Sequence, residues 1–449
     1  MTHSTAQNNQ IVRDLGGGLV LRRATVADTE ELVAFNARIH ANPDENEVDE
    51  GVGIWTRDLM TRAHPTFDVQ DFTIVEDTAT GRIVSSLNLI SQTWSYDGVS
   101  FGVGRPELVG TEPAYRHRGL VRQQFEVIHE WSAQRGHLVQ GITGIPYYYR
   151  LFGYEMALGL GGRRAGYQQH VPKLSKDKQE PYPIRAAREE DLPFMAALYE
   201  QANERQLVTC VRDEALWRYE LSGQTLGSIT YRQLCIIESQ AGEPVGFLAH
   251  PCQLWGPQLA AVQYELKPGV SWLAVTPGVI RYLWQRGQDY ATQEKKKAGL
   301  GAFCFSLGLE HPVYEAAHHR LPYTKAPYAW FIRVPEWLAF LQHITPVLEE
   351  RLANSIAAGH TGQLKISFYR HGLRFVFQKG RLLIEPWQPT ASDEGHAAFS
   401  NLTFLQLLFG YRSLAELNTA FADCWTQGDN ARVLLNVLFP KKPSNPWPL

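Results

Sequence analysis

Val109-Gly110-Thr111-Glu112-Pro113-Ala114-Tyr115-Arg116-His117-Arg118-Gly119-Leu120-Val121-Arg122 is the stretch on which the reading of this chain turns. Residues 108–111 read as a strand. From Gly119 to about Arg135 the pattern is helical, with Val121, Phe125 and Ile128 on one face at i, i+4 and i+7. Gly136 is placed to end that helix as its C′ residue. Between strand and helix, Arg116, Arg118 and Arg122 surround Gly119. A helix N-terminus offers unpaired N–H groups and a partial positive charge, so it suits an anion. Glycine lets the backbone approach a pyrophosphate without a Cβ in the way, and guanidinium groups add charge-assisted bonds. Residues 138–142 follow as another strand, completing a βαβ-like unit suited to phosphate. A surface loop with solvated arginines is the plainer alternative for the turn alone.

Downstream lies Pro146-Tyr147-Tyr148-Tyr149-Arg150-Leu151-Phe152-Gly153-Tyr154, where three consecutive tyrosines cannot all enter one core. Upstream, 72–77 and 82–90 read as a hairpin turning at Thr78-Ala79-Thr80-Gly81. Further out the chain repeats itself. Residues 21–28 (LRRATVAD) resemble 184–191 (IRAAREED) at an offset of 163, each reading as strand, turn and a helix with an acid in its first turn. Thr111-Glu112-Pro113 finds a similar partner in Val275-Thr276-Pro277. The polar, proline-bounded run 169–183 suits a linker. A second, softer break near 335–352 leads into three short strands at 363–369, 373–378 and 381–385, then helical stretches and a proline-rich tail. The expected units are 1–170, 180–335 and 340–449.

The 449 residues are 44% hydrophobic and 20% charged, with a formal net charge of −3. That composition supplies more than one core and argues against a disordered chain. Lysine and arginine number 43 against 46 acids, which leaves no excess for holding nucleic acid. Five scattered cysteines, never spaced as CxxC, suggest free thiols in a reducing compartment. The polar start predicts no signal peptide, and no apolar run predicts a membrane span, so a cytoplasmic protein is expected. The histidines, His318-His319 included, fall in no metal-ligand spacing, so no metal is expected.

Together, the arginine–glycine turn and the tyrosine segment resemble the acetyl-CoA-binding core of the GCN5-related N-acetyltransferases. That family carries Gln/Arg-x-x-Gly-x-Gly/Ala after a strand, then a helix, a strand and Tyr-x-x-x-Gly-Phe/Tyr. Arg116, Gly119 and Val121 match the first element, with valine where Gly or Ala is usual, and Tyr149, Gly153 and Tyr154 match the second. The duplicated layout and its ending are similar to the enhanced-intracellular-survival (Eis) acetyltransferases, which acetylate amines including aminoglycosides. The matching segments are 331–337 (FIRVPEW), 409–417 (FGYRSLAEL) and 438–440 (LFP). The fold class this implies is α+β: tandem GNAT-like units with mixed, mostly antiparallel sheets, plus a C-terminal domain like sterol carrier protein 2. The second unit reads Thr276-Pro277-Gly278-Val279-Ile280-Arg281 at its phosphate-loop equivalent, so it is expected to be a degenerate copy that binds no coenzyme.

The resemblance implies direct attack of an amine on the thioester of acetyl-CoA, with Tyr149 protonating the leaving thiolate. Val109, Gly110 and Thr111 are expected to receive the pantetheine arm. Arg116, Arg118, Gly119, Leu120, Val121 and Arg122 are expected to cradle the pyrophosphate, with Thr143 and Gly144 as further coenzyme contacts. The terminal carboxylate of Leu449 is implied as the base, reached by a stiff proline-rich arm. Five acids in 44–50, Asp44 and Glu45 foremost, would draw a cationic aminoglycoside- or polyamine-like acceptor, unless they form a solvated loop; Trp55 is a candidate pocket aromatic. The family implies a homo-oligomer, hexamer or trimer; from charge balance and the lack of a long apolar run, no nucleic-acid or membrane partner is expected. Acetylation of a protein lysine or peptide N-terminus, and non-catalytic acyl-CoA or lipid binding, are the alternative functions.

Overall fold

A computed structural model describes residues 11–42, 48–175, 177–293, 299–308 and 310–446. The first half opens with strands β1 (Ile11–Gly16) and β2 (Leu19–Arg23) and helices α1 (Thr29–Ile39) and α2 (Glu50–Thr61). It continues with β3 (Phe72–Asp77), β4 (Arg82–Tyr96), β5 (Val99–Thr111), α3 (Leu120–Gln134), β6 (Val139–Ile142), β7 (Glu155–Leu160) and β8 (Arg163–Gly166). Strands β1 to β5 pair antiparallel in sequence order, and β5 then pairs parallel with β6. Alternation sends side chains to two faces. Val75, Leu87 and Leu89 pack with Phe125, Val127 and Ile128 of α3 on one side. Ile74, Ile83 and Ile90 pack with Leu32, Phe35 and Leu59 of α1 and α2 on the other.

The second half contains β9 (Ile184–Ala186), α4 (Leu192–Asn203), β10 (Val208–Cys210), α5 (Glu214–Arg218), β11 (Gln233–Glu238), β12 (Pro244–His250), β13 (Gln258–Ala261) and β14 (Gln263–Leu266). After them come α6 (Trp272–Gln293), β15 (Ala302–Phe305), α7 (Pro312–Ala316), β16 (Tyr323–Lys325) and β17 (Tyr328–Arg333). The duplication survives as an ion-pair constellation. Arg22 donates through Nε to Glu76 at 2.7 Å and through both Nη atoms to Asp28 at 2.9 and 2.7 Å. Arg185 does the same to Glu238 at 2.7 Å and to Asp191 at 2.6 and 2.9 Å. In each copy the arginine fastens a strand to the acid that closes the capping box of the next helical turn. The other sequence match is not a structural repeat: Thr111 ends a strand, whereas Val275, Thr276 and Pro277 lie inside α6.

The halves exchange strands. β17 inserts between β6 and β7 of the first sheet, antiparallel to both, while β8 inserts between β15 and β16 of the second half. The sheet of the first half therefore takes in Tyr328–Arg333, which the sequence reading places in the second unit, and gives up Arg163–Gly166, which it places in the first.

The C-terminal part holds α8 (Trp337–His343), α9 (Thr345–Ala353) and strands β18 (Gly362–Ser367), β19 (Gly372–Gln378), β20 (Arg381–Trp387), β21 (Ala397–Ala398) and β22 (Trp425–Thr426). Helices α10 (Phe404–Leu408), α11 (Leu414–Ala420) and α12 (Asp429–Leu438) complete it. Its core is continuous with the first sheet: Phe340 packs edge-on to Tyr96 and Phe101, and the Tyr96 hydroxyl donates to the Leu408 carbonyl at 2.7 Å. The tail returns along β10, where Asn445 N–H donates to the Val208 carbonyl at 2.9 Å. Among the described residues no helix is long and apolar enough to cross a membrane.

Candidate active site

The site begins where two strands part company. β5 is paired with β4 as far as Thr111, but with β6 only at Val103↔Val139 and Gly104↔Gln140. Beyond Gly104 the β6-facing edge of β5 is open. A bulge interrupts the other edge between Ser86 and Asn88, and there Leu108 adopts φ 53°, a left-handed conformation that is costly for a branched side chain. A cleft of about 1060 Å³ fills the splay.

Every described residue expected to hold coenzyme, donate the proton or line the acceptor pocket lies in this one cleft: Val109, Gly110, Thr111, Arg116, Arg118, Gly119, Leu120, Val121, Arg122, Thr143, Gly144, Tyr149 and Trp55. Asp44, Glu45 and Leu449 lie outside the described residues. The positive end of the cleft is the head of α3. Gly119 is its N-cap at φ 74° and His117 stands at φ 64°, so two left-handed residues flank Arg118 in a turn that lines the cleft. Among the described residues Arg116, Arg118 and Arg122 form no ion pair with a carboxylate. The Arg118 guanidinium lies 4.9 Å from the Tyr115 ring centre and that of Arg122 5.2 Å from Phe152, which orients both without neutralising them. Tyr115 is itself fixed by donating to Asp77 at 2.6 Å. Three uncompensated guanidinium groups at a helix N-terminus can hold a polyanion.

At the inner end sits Tyr149. It lies in the short helical turn Tyr148–Phe152, between Tyr147 at φ 70° and Gly153 at φ 84°. Its ring is 6% exposed and packs on Phe125, Phe331 and Tyr154, so the exchanged strand β17 helps hold it. Gly144 lies directly against it: a Cβ there would come 2.4 Å from Tyr149 Cε2 and 2.9 Å from its hydroxyl oxygen. Burial, with a smaller contribution from the Glu107 carboxylate, pushes the Tyr149 phenol well above its ordinary pKa. The hydroxyl therefore keeps its proton at neutral pH and has one to give.

The sequence reading missed Glu107 and Arg105. Glu107 lines the cleft, and Arg105 behind it is fully buried. The strand is expected to start at 108, so the charged alternation Arg105-Pro106-Glu107 falls just before it; the structure extends β5 back to Val99. His40, Asp49 and Ile229 also line the cleft, the last from the second half. A smaller cavity of about 130 Å³ adjoins it through Trp55 and is bounded by His64, Thr93 and Cys210 on one side and Tyr219, Glu220 and Arg232 on the other. The second half has no counterpart to the cationic turn. Its Gly278 and Arg281 lie within α6, and the guanidinium of Arg281 is bound to Glu180 of the linker at 2.8 and 2.7 Å.

Residues 20–157 match the model of an acetyltransferase (GNAT) domain. No curated protein matches the sequence. Among solved structures, a GCN5-related N-acetyltransferase from Kribbella flavida superposes with a TM-score of 0.61 at 16% identity, covering 95% of this chain and 97% of its own. A probable N-acyltransferase from Enterococcus faecalis V583 gives 0.63 at 13% identity over 95% and 97%. Eis1 from Mycobacterium abscessus gives 0.58 at 12% identity over 96% and 98%. These likenesses establish a shared mixed α+β fold along nearly the whole chain. With the acetyltransferase domain located on the very residues that build the cleft, the chain carries a GNAT domain and is an N-acetyltransferase.

Proposed function

We propose that the protein transfers the acetyl group of acetyl-CoA to the primary amine of a small acceptor. The observation that carries this reading is the sharing of one cleft by three arginines with no carboxylate partner among the described residues, an αL glycine at the head of α3, and a buried tyrosine. Pyrophosphate would sit on the amides after Arg116. The pantetheine arm would pair as an extra strand with the open edge of β5 at Val109, Gly110 and Thr111, with Thr143 and Gly144 opposite. The amine attacks the thioester carbonyl, C–N bond formation precedes C–S cleavage, and Tyr149 protonates the departing sulfur.

The cleft's carboxylates, Asp49 and Glu107, together with Trp55, support a cationic acceptor of aminoglycoside or polyamine type. Resemblance to the Eis enzymes adds a cytoplasmic homo-oligomer, hexamer or trimer, and a C-terminal part like sterol carrier protein 2. It also offers the Leu449 carboxylate as base. The described tail supports that geometry, since Asn445 bridges Thr209 beside Cys210 of the smaller cavity. The test is thiol release from acetyl-CoA against a panel of polyamines, aminoglycosides and lysine peptides. Release with the small amines is expected; tight coenzyme binding with no release from any acceptor would make the protein a carrier instead.

A further inference from the structure

We propose that Ile229, a residue of the second half, selects among amines by limiting the bulk allowed beside the reacting nitrogen. The proposal rests on the transfer reading above and gives that site a specificity residue. The two sides of the cleft belong to different packing layers. Tyr149, Leu120 and, less deeply, Phe152 pack with α3. Across the splay Ile39, Val52 and Trp55 line the cleft from α1 and α2, and Ile229 joins their layer from the second half. With the acid on the α3 side, the amine comes to the thioester from the other. The first atoms beyond its nitrogen then meet a wall of apolar side chains that includes Ile229.

Ile229 is held in that wall at both ends of its backbone. Its N–H donates to the Gly51 carbonyl in the first turn of α2 at 3.1 Å, and its carbonyl accepts from Arg232 Nη1 at 2.8 Å. One half of the molecule grips its amide hydrogen and the other its carbonyl oxygen. Arg232 is buried and also donates to the Tyr231 carbonyl at 2.7 Å.

The segment leading to Ile229 is fastened along α2. It starts from a π-helical turn, Tyr219–Gly223, whose Gly223 carbonyl accepts from Arg62 at 3.2 Å. Thr225 then gives its N–H to Asp58 Oδ2 at 2.8 Å and its hydroxyl to Oδ1 at 2.5 Å. Asp58 is buried within α2, and a buried carboxylate is costly unless its oxygens are met. The second half supplies two of the groups that meet them, and Arg62 adds a third at 3.1 Å. Pulling the loop away would strand that charge, so the loop stays on the helix. Among the described residues Ile229 is the one that the second half contributes to the cleft. Its β-branched side chain is stiff at χ1 and does not fold aside. A straight carbon beside the nitrogen passes it; a branched carbon brings a methyl against it.

The experiment compares the unaltered protein with I229A, I229F, T225A and L226A. The acceptors are the fastest small amine of the panel and its homologue with a methyl on each nitrogen-bearing carbon (putrescine and its dimethyl homologue are such a pair). Thiol release gives kcat/KM for each, calorimetry the coenzyme affinity. The ratio of the two kcat/KM values decides, because loss of folded enzyme lowers both and leaves their ratio alone. I229A is expected to raise the ratio of methylated to plain amine about 10-fold or more, and I229F to lower kcat/KM for both about 10-fold, with coenzyme affinity at the parent value. T225A loses the hydroxyl bond to Asp58 and keeps the N–H bond, so it should move the ratio in the same direction as I229A by a smaller factor. Leu226 is 67% exposed in the same loop and outside the cleft, so L226A should not move it. A parent-like ratio in I229A or in T225A, or an L226A ratio that moves as far as that of I229A, overturns the proposal and leaves the transfer reading standing. No thiol release from the unaltered protein with any amine overturns both.

Discussion

At Gly144 the absence of a side chain has a measurable purpose. The ring of Tyr149 occupies the space a methyl group would need, with 2.4 Å between them. G144A must therefore displace the phenol or rotate its turn. We expect kcat to fall about 10- to 100-fold, coenzyme affinity to change little, and the fold to lose about 1–3 kcal/mol from overpacking; steady-state kinetics and a urea melt report these separately. The arginines make a complementary case. Arg118 and Arg122 lie over rings with no carboxylate partner among the described residues, so R118Q and R122Q should weaken CoA binding by about 1.5–3 kcal/mol each and flatten its salt dependence, while leaving stability near the parent value. Calorimetric titration at two salt concentrations checks both. Their place at the mouth of the cleft was legible beforehand because a glycine-opened helix start flanked by arginines is a local pattern of sequence. Glu107 was not, because its meaning depends on which face of a bulged strand it occupies, and no local pattern announces a bulge at Leu108.

At the scale of elements, local signals placed the pieces well. Helix α3 runs from Leu120 to Gln134 with Gly136 at φ 73° beyond it, and the hairpin over Thr78-Ala79-Thr80-Gly81 forms as read. What sequence could not convey is the exchange of β8 and β17, since period-two patterning says that a strand is buried but not in which sheet. Trp330, Phe331 and Ile332 are as apolar as a strand native to either half. The exchange has a consequence for the site, because Phe331 is one wall of the Tyr149 pocket. A chain stopped after residue 175 keeps the whole cationic turn but leaves β6 and β7 without their shared partner. We expect it to be unfolded or aggregated by circular dichroism and to bind no CoA, and co-expression with residues 176–449 to restore both properties. A soluble, CoA-binding fragment would show that the first half closes its sheet without β17.

Across the whole molecule, burial of histidine ties the fold to pH. His137 is held near a pKa of about 4 by burial, with Arg135 adding to it, and its Nδ1 meets Ser132 Oγ at 3.0 Å. In the second half His250 is likewise near 4, mainly through burial, despite a hydrogen bond to the Pro251 carbonyl at 2.7 Å. His129, beside the Tyr154 hydroxyl at 2.8 Å, is pushed down to about 3 by burial and then Arg333. In the unfolded chain each returns to about 6.5. Between about pH 6.5 and 4 the unfolded state therefore binds protons that the native state refuses, so stability is fully present above the unfolded value and is lost as pH falls. Each such proton tilts stability by about 1.4 kcal/mol per pH unit once the unfolded histidine is charged. Urea melts from pH 7.5 to 4.5 should show a flat region above pH 7, then a decline whose slope corresponds to several protons. H250Q, which removes one titrating ring, should decline less steeply than the parent by about one proton. Because the three rings lie in both halves and the strands are exchanged between them, the transitions followed by tryptophan fluorescence and by circular dichroism should move together. Separate transitions, or a stability that stays constant down to pH 5, would contradict this coupling of buried imidazoles to one interlocked core.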